Sequence, residues 1–430
     1  MHRIVTRTWL ALVVAVALGG AAAAQSQPAV TITYWQYYYE SKVKTLDALI
    51  PQFERQNPGI HVVQQTFPYD SYNQKVASAV PAGQGPDVVN LYYGWLPLYV
   101  DSGYLQPLPA DAFPTAQIER DFAPMVKAAQ FDGKFWALPT AVRTLAIFYN
   151  RDLFQRAGIT RAPATWEEFT ADAQRLTERD SRGRITTEGF GIAPNGQDHS
   201  LLREVLFRQW GASPYSADGR RVTYNTAAGA AALRWYTDLV TKEKVGAVDF
   251  FPGSNGYRDA FLAGRAGMII DGSFAIGTVR SGAKFNWGVA LLPRRTAGGT
   301  PGNFGSFWVH GLTRRAIGPR RAAAVAFLKF ITSSEVQRTW LQQVGEIPAA
   351  KALAADPKLA QDPVYGPFIA SLPFAHATFF VDETAQRTVL VDAVNEVVLN
   401  HMDPKAALDA AAGKEQKILD AFWAKQAKHP

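Results

Sequence analysis

Side chains do chemistry when reactive types recur at fixed spacings, and this chain offers few such spacings. Its seven histidines are scattered, none four residues from another, so no helix face pairs two imidazoles. Cysteine is absent, which removes a thiolate nucleophile, a thiolate zinc site and a disulfide framework. There is no GxSxG, no HExxH, no phosphate loop and no GxGxxG after a strand; Gly298, Gly299 and Gly302 stand in a turn-rich loop. Glu167 and Glu168 are paired carboxylates, but Thr165 precedes them and the pattern is that of a helix start, where the macrodipole favours acids. Asp382 and Glu383 form a second, weaker pair. Glycoside hydrolysis needs two placed carboxylates in a cleft, and nothing singles out such a pair. No catalytic residue, metal or cofactor is therefore expected. What accumulates instead is aromatic. Trp35-Gln-Tyr-Tyr-Tyr-Glu40 and Tyr92-Tyr-Gly-Trp95 each follow a β-type run, and the chain carries 11 Trp and 16 Tyr, a surplus that suits a ligand cleft.

The elements that must hold these residues alternate between strand and helix, which predicts an α/β fold. Val30–Trp35 alternates as a strand. Lys44–Gln56 has helical periodicity through Leu46, Leu49, Ile50 and Phe53, and Asn57-Pro58-Gly59 ends it. Residues 60–66 read as a strand, 72–80 as a helix and 88–91 as a strand, the β-α-β-α-β opening of a parallel sheet whose ligands bind beyond the carboxyl ends of its strands. Residues 135–150 form an apolar run broken by Pro139. Helices are predicted over 166–177, 201–210, 226–242, 257–263, 319–331, 334–344, 385–400 and 404–424, and short strands over 267–271 and 286–292. A length of 430 residues exceeds one ordinary core and suits two lobes of roughly 150–200 residues.

Residues 1–24 read as a secretory leader: Arg3 and Arg7, an apolar stretch from Trp9 to Leu18 too short to span a bilayer, then Ala22-Ala23-Ala24 before a cut at Gln25. Loss of the two arginines lowers the formal charge from +7 to +5. That charge is spread thinly, in no stripe fit for nucleic acid. The expectation is a protein of the periplasm, not lipid-anchored, since no cysteine follows the leader.

Several segments together resemble the family 1 extracellular solute-binding proteins of ABC importers, the group of the maltose-binding and glycerol-3-phosphate-binding proteins. They are Gly85-Pro-Asp-Val-Val89, Gly103-Tyr-Leu-Gln-Pro-Leu108, Phe131-Asp-Gly-Lys-Phe-Trp-Ala-Leu-Pro139, Ile147-Phe-Tyr-Asn-Arg-Asp-Leu-Phe154, Thr165-Trp-Glu-Glu-Phe169, Phe261-Leu-Ala-Gly-Arg-Ala-Gly-Met268, Asp271-Gly-Ser-Phe274, Trp287-Gly-Val-Ala-Leu-Leu-Pro293 and Gly345-Glu-Ile-Pro348. Their order covers nearly all of the chain beyond the leader. The resemblance implies a two-lobed fold with hinge-crossing strands, a first crossing in the 131–154 region, a second at 287–293, and no catalysis. Lobe 1 is expected over 25–140 plus 293–344, and lobe 2 over 141–292 plus 345–430. It further implies permease subunits of an ABC importer as partners and a monomeric binder that closes on its ligand.

The ligand expected is a carbohydrate. A sugar has C–H faces that aromatic planes cover and hydroxyls that planar polar groups bond. Trp35, Tyr37, Tyr38 and Glu40 after the first strand, Asp70 after the second, and Tyr92, Tyr93 and Trp95 after the third are the candidate lining. The resemblance adds Asn195, Gln197, Ser273, Phe274, Gly305, Ser306 and Phe307. Arg143 departs from the maltose binders, which carry an acid in the crossing segment, and Arg387 falls where the family places contacts. Two guanidinium groups in one cleft would suit a phosphorylated polyol or acidic sugar; the alternative is that each pairs with a nearby carboxylate.

Overall fold

The computed structural model describes residues 29–253 and 255–427; the leader lies outside them. Strand β1 (Val30–Tyr37) pairs in parallel with β2 (Ile60–Phe67) and β3 (Val88–Tyr92), with α1 (Glu40–Gln56) and α2 (Tyr69–Ala79) between them. This is the predicted parallel opening. Leu46, Leu49, Ile50 and Phe53 of α1 are buried on one face, as their spacing requires.

The predicted break at Pro139 is a correction. The segment is one strand, β4 (Ala137–Asn150), and it joins the lobes. Pro139 has no N–H to give, and the ladder with the facing strand is irregular at that point, between Phe307 and Val309. β5 (Ile185–Phe190), β6 (Ala266–Gly272) and β7 (Trp287–Ala290) belong to the second lobe, and β8 (Asn303–Thr313) returns to the first. The sheet order is β2-β1-β3-β8-β4-β6-β5. β8 is buried along all eleven residues, and no strand was expected there. It makes the return crossing that the resemblance placed at 287–293; β7 instead pairs within lobe 2, on Ile147–Asn150 of β4.

The change of partner along β4 falls at Thr144 and Leu145. Before it β4 pairs with β8; after it, with β6 and β7. At the change, the buried Asn303 side chain takes the Leu145 N–H at 2.9 Å and gives its amide to the Leu145 carbonyl at 2.8 Å. A side-chain amide thus stands in for a strand partner where two neighbouring strands leave a gap. Side chains of β4 also divide the interior by alternation. Ala146 and Phe148 face the larger core, with Phe53, Leu91 and Phe327, while Leu145 and Ile147 face the second, with Phe169, Phe190 and Leu202.

In the second lobe, α3 (Trp166–Leu176) starts as expected. Thr165 Oγ1 accepts the Glu168 N–H, and Glu168 reaches back to the Ala164 N–H at 2.7 Å. These acids cap a helix. Helices α4 (Ala227–Thr241), α5 (Glu383–Val398) and α6 (Pro404–Gln426) pack together.

Candidate ligand cleft

Trp308 of β8 lies at the centre of an aromatic cluster. Its ring centroid is 4.1 Å from Tyr37, 5.3 Å from Trp95, 5.8 Å from Tyr92 and 6.2 Å from Tyr69. These residues come from the carboxyl ends of β1 and β3, the turn after β3, the start of α2, and β8. Alternation along β8 puts Trp308 on this face and sends Phe307 to the other, where it stacks on Tyr93 at 4.7 Å.

Across from the cluster, Phe274 follows β6. A Cβ on Gly272 would lie 2.2 Å from its ring, so only glycine lets the ring fold back over the strand end. The Arg143 guanidinium sits 5.0 Å and that of Arg258 5.6 Å from the Phe274 centroid. Arg258 is tied to Asp271 by a 2.7 Å bond.

Beneath the aromatics lies a buried ionic group. Arg143 Nε donates to Glu346 Oε1 at 2.7 Å, and a second nitrogen also bonds Glu346. Arg143 Nη2 reaches the Tyr37 hydroxyl at 3.4 Å. Lys42 Nζ is 3.1 Å from the same Glu346 oxygen, and Trp340 Nε1 donates to the other at 2.9 Å. Burial pushes the Glu346 carboxyl up, but Arg143 and Lys42 outweigh it and hold the group near 2. Burial lowers Lys42 to about 8 against the pull of Glu346.

The structure brings together Tyr37, Tyr92, Trp95, Arg143 and Phe274 of the expected lining, and corrects much of the rest. β1 runs two residues further than expected, so Trp35 is inside the strand and packs on Phe67 at 4.7 Å. Tyr38 points outward, 55% exposed. Glu40 pairs with Lys44 on the surface, and Asp70 is exposed in the first turn of α2. Tyr93 and Phe307 are packed in the core; Tyr37, Trp95 and Trp308 are buried in it too, so Tyr69, Tyr92 and Phe274 are the rings of the group that stay open to solvent. Gly305 is a packing position, since a Cβ there would meet Met125 at 2.8 Å. Ser306 and Ser273 are buried, the latter with its hydroxyl unpartnered. Asn195 is exposed and Gln197 half-buried, and neither side chain bonds another among the described residues. Arg387 lies 3.6 Å from Glu383. Each arginine therefore has a carboxylate partner.

Trp308, Tyr69, Lys42 and Glu346 were not anticipated. Trp308 stands one residue past the named run 305–307, and alternation along a strand would have found it. Lys42 lies four residues before Leu46, on the buried face of α1, and that spacing was the available signal; its partner Glu346 is distant in sequence. A larger cavity, about 460 Å³, lies elsewhere, between Tyr93, Met125, Phe131, Phe379 and Phe380; Trp308 takes no part in it. Among the described residues no cluster of His, Asp or Glu is placed to hold a metal.

A model of the bacterial extracellular solute-binding protein family matches residues 39–338. The chain belongs to that family. A binding protein of Brucella abortus (strain 2308) is 27% identical over 385 residues, 85% of this chain and 88% of the relative. Among solved structures, an ABC transporter solute-binding protein of Thermotoga lettingae TMO, bound with α-D-tagatose, superposes with a TM-score of 0.77 at 24% identity over 90% of this chain and 99% of its own. UgpB of Mycobacterium tuberculosis in complex with glycerophosphocholine gives 0.78 at 22% identity over 92% and 99%. The expected fold is therefore the observed one: two lobes joined by crossing strands, in a bacterial extracellular solute-binding protein. The family is one of binding proteins.

For such a solute-binding protein, the position of the aromatic cluster is informative. Tyr37, Tyr69, Tyr92 and Trp95 come from the first lobe, Phe274 and Arg258 from the second, and Arg143 from the strand that crosses between them. Tyr69 is 54% exposed at the edge of the cluster.

Proposed function

We propose that this solute-binding protein captures a carbohydrate between its lobes and delivers it to the permease of an ABC importer. The observation that carries this reading is Trp308, ringed by Tyr37, Tyr69, Tyr92 and Trp95. Several aromatic planes of different orientation suit the C–H faces of pyranose or furanose rings, with tyrosine hydroxyls and the Arg143 edge left for the sugar hydroxyls. The tagatose named for the Thermotoga structure is of that class. The glycerophosphocholine named for the UgpB structure points to the phosphorylated-polyol alternative. Arg143 and Arg387 do not by themselves favour it, because Glu346 and Glu383 already meet them.

In this reading the leader is removed at Gln25, and the mature chain works in the periplasm as a monomer without a lipid anchor. Lobe 1 comprises about 25–144 with 303–344, the expected bounds 140 and 293 moving to where β4 changes partner and β8 begins, and lobe 2 the remainder of the mature chain. No helix among the described residues is long and apolar enough to cross a membrane. Titration calorimetry against mono- to trisaccharides tests the proposal. Tyr69→Ala, which removes the exposed ring at the edge of the cluster, is expected to weaken the carbohydrate that binds by roughly tenfold or more while the fold is kept. Unchanged affinity in that variant would remove the cluster from the site.

A further inference from the structure

Four cations lie around and beneath the aromatic cluster, and three carboxylates meet them. Arg258 has Asp271, Arg387 has Glu383, and Arg143 and Lys42 share Glu346. Lys42 is thus the cation without a carboxylate of its own. It is no surface group: its side chain is 3% exposed, and Nζ lies 5.2 Å from the ring centre of Tyr37, 5.7 Å from Tyr39 and 5.8 Å from Trp340. The small polar cavity beside it, lined also by Gln36, Asn90, Thr140 and His310, contains no acid but Glu346. A buried charge without a counter-charge is costly in a low dielectric, and an arriving opposite charge relieves that cost. Arg143, 13% exposed and stacked on Phe274, is the member of the group that reaches the cleft.

We infer that Lys42 is a positioning residue that sets specificity: by sharing Glu346 it leaves Arg143 under-neutralised, so the cleft selects a carbohydrate bearing one acidic group over its neutral counterpart. The inference rests on the carbohydrate reading. Lys42 itself does not touch the ligand; it acts through Glu346 and Arg143.

The titratable groups facing Lys42 are Tyr37 and Tyr39, Arg143 on β4, His310 on β8, and Glu346. Burial holds His310 near 3, and Glu346 stays near 2, so neither changes charge around neutrality or above. Burial pushes Tyr37 upward, out of the same range. Lys42, brought down to about 8, is the group that loses a proton there, and Glu346 then neutralises Arg143 alone. Selectivity for an acid should therefore decline as the pH rises through this value.

The test is calorimetric titration of the exported chain with matched neutral sugars and their uronic acids, mono- to trisaccharide, at pH 6.5 and at pH 9. Uronates are used because their carboxylates stay ionised throughout. The uronate of a pair is expected to bind about tenfold more tightly at the lower pH, with the ratio shrinking toward one at the higher. Lys42→Met, which keeps the packed stem and removes the charge, should give the low ratio at both pH values. If that variant does not fold, the wild-type pH profile decides alone. Equal or better binding of the neutral sugar at pH 6.5, or a ratio unchanged between the two pH values, overturns this inference and leaves the carbohydrate reading standing. Failure of every sugar and uronate to bind overturns both.

Discussion

Glu346 shows how one residue can hold several others in place. Its two oxygens take Arg143, Lys42 and the Trp340 indole, all buried or nearly so. Removing one member of a buried ionic group leaves the rest uncompensated, which costs about 3–5 kcal/mol. Glu346→Ala should therefore lose stability on that scale in urea unfolding; a loss below about 1 kcal/mol would show that water reaches the cations. The sign with pH follows from the depressed carboxyl. Stability from Glu346 is present above the ordinary carboxylate range and is lost as the pH falls toward 2. Arg143→Glu would set two carboxylates face to face and should abolish both this group and ligand binding. At this scale the sequence was informative where a residue's role is local. Tyr92 and Trp95 could be placed at the end of a strand because they follow one, while Phe274 came only from the resemblance. The pairing of Lys42 with Glu346 could not be read, because it depends on how α1 and the segment after residue 344 pack. The expected anion-binding arginine pair could not be separated from its alternative until their partners were placed.

Among elements, β8 was the largest omission. Its residues carry Gly305, His310 and Gly311 inside the run, which weakens any strand pattern, yet neighbours on both edges secure it. β4 was misread at Pro139 for the reverse reason: a proline usually ends a strand, but here the ladder bends around it. The helices were legible because their caps and apolar spacing are local, as in Thr165 with α3. β5 offers a test of how burial tunes an element. Glu188 is 1% exposed, accepts the Ala247 N–H at 2.7 Å, and is raised by burial from 4.5 to about 8. The folded chain then keeps a proton that the unfolded chain has released. Stability is full below about 4.5 and declines as the pH rises toward 8, where the loss is nearly complete and is on the order of 5 kcal/mol. Glu188→Gln keeps the acceptor and should flatten this decline in unfolding midpoints measured between pH 5 and pH 8.5. A variant with the wild-type slope would place the titration elsewhere.

Over the whole molecule, the lobes meet at β4 and β8, at the Lys42–Glu346 pair, and at the far end of α6. The end of α6 reaches the short helix Leu96–Asp101, where Lys425 pairs with Asp101 and Gln426 Nε2 bonds its Oδ1 at 2.5 Å. A cleft whose lining comes from both lobes is best satisfied when they approach, so ligand should shift the population toward a closed form. Small-angle scattering should show the radius of gyration falling when the ligand is added; an unchanged radius would mean that binding does not draw the lobes together. The central claim, that the cleft takes a carbohydrate, is tested most directly by a thermal-shift panel of sugars, uronic acids, polyol phosphates and amino acids on the exported chain. A ligand that binds only the native state raises the midpoint by mass action. The account predicts a rise with at least one sugar or uronic acid and none with amino acids. A rise confined to amino acids or to polyol phosphates would contradict it.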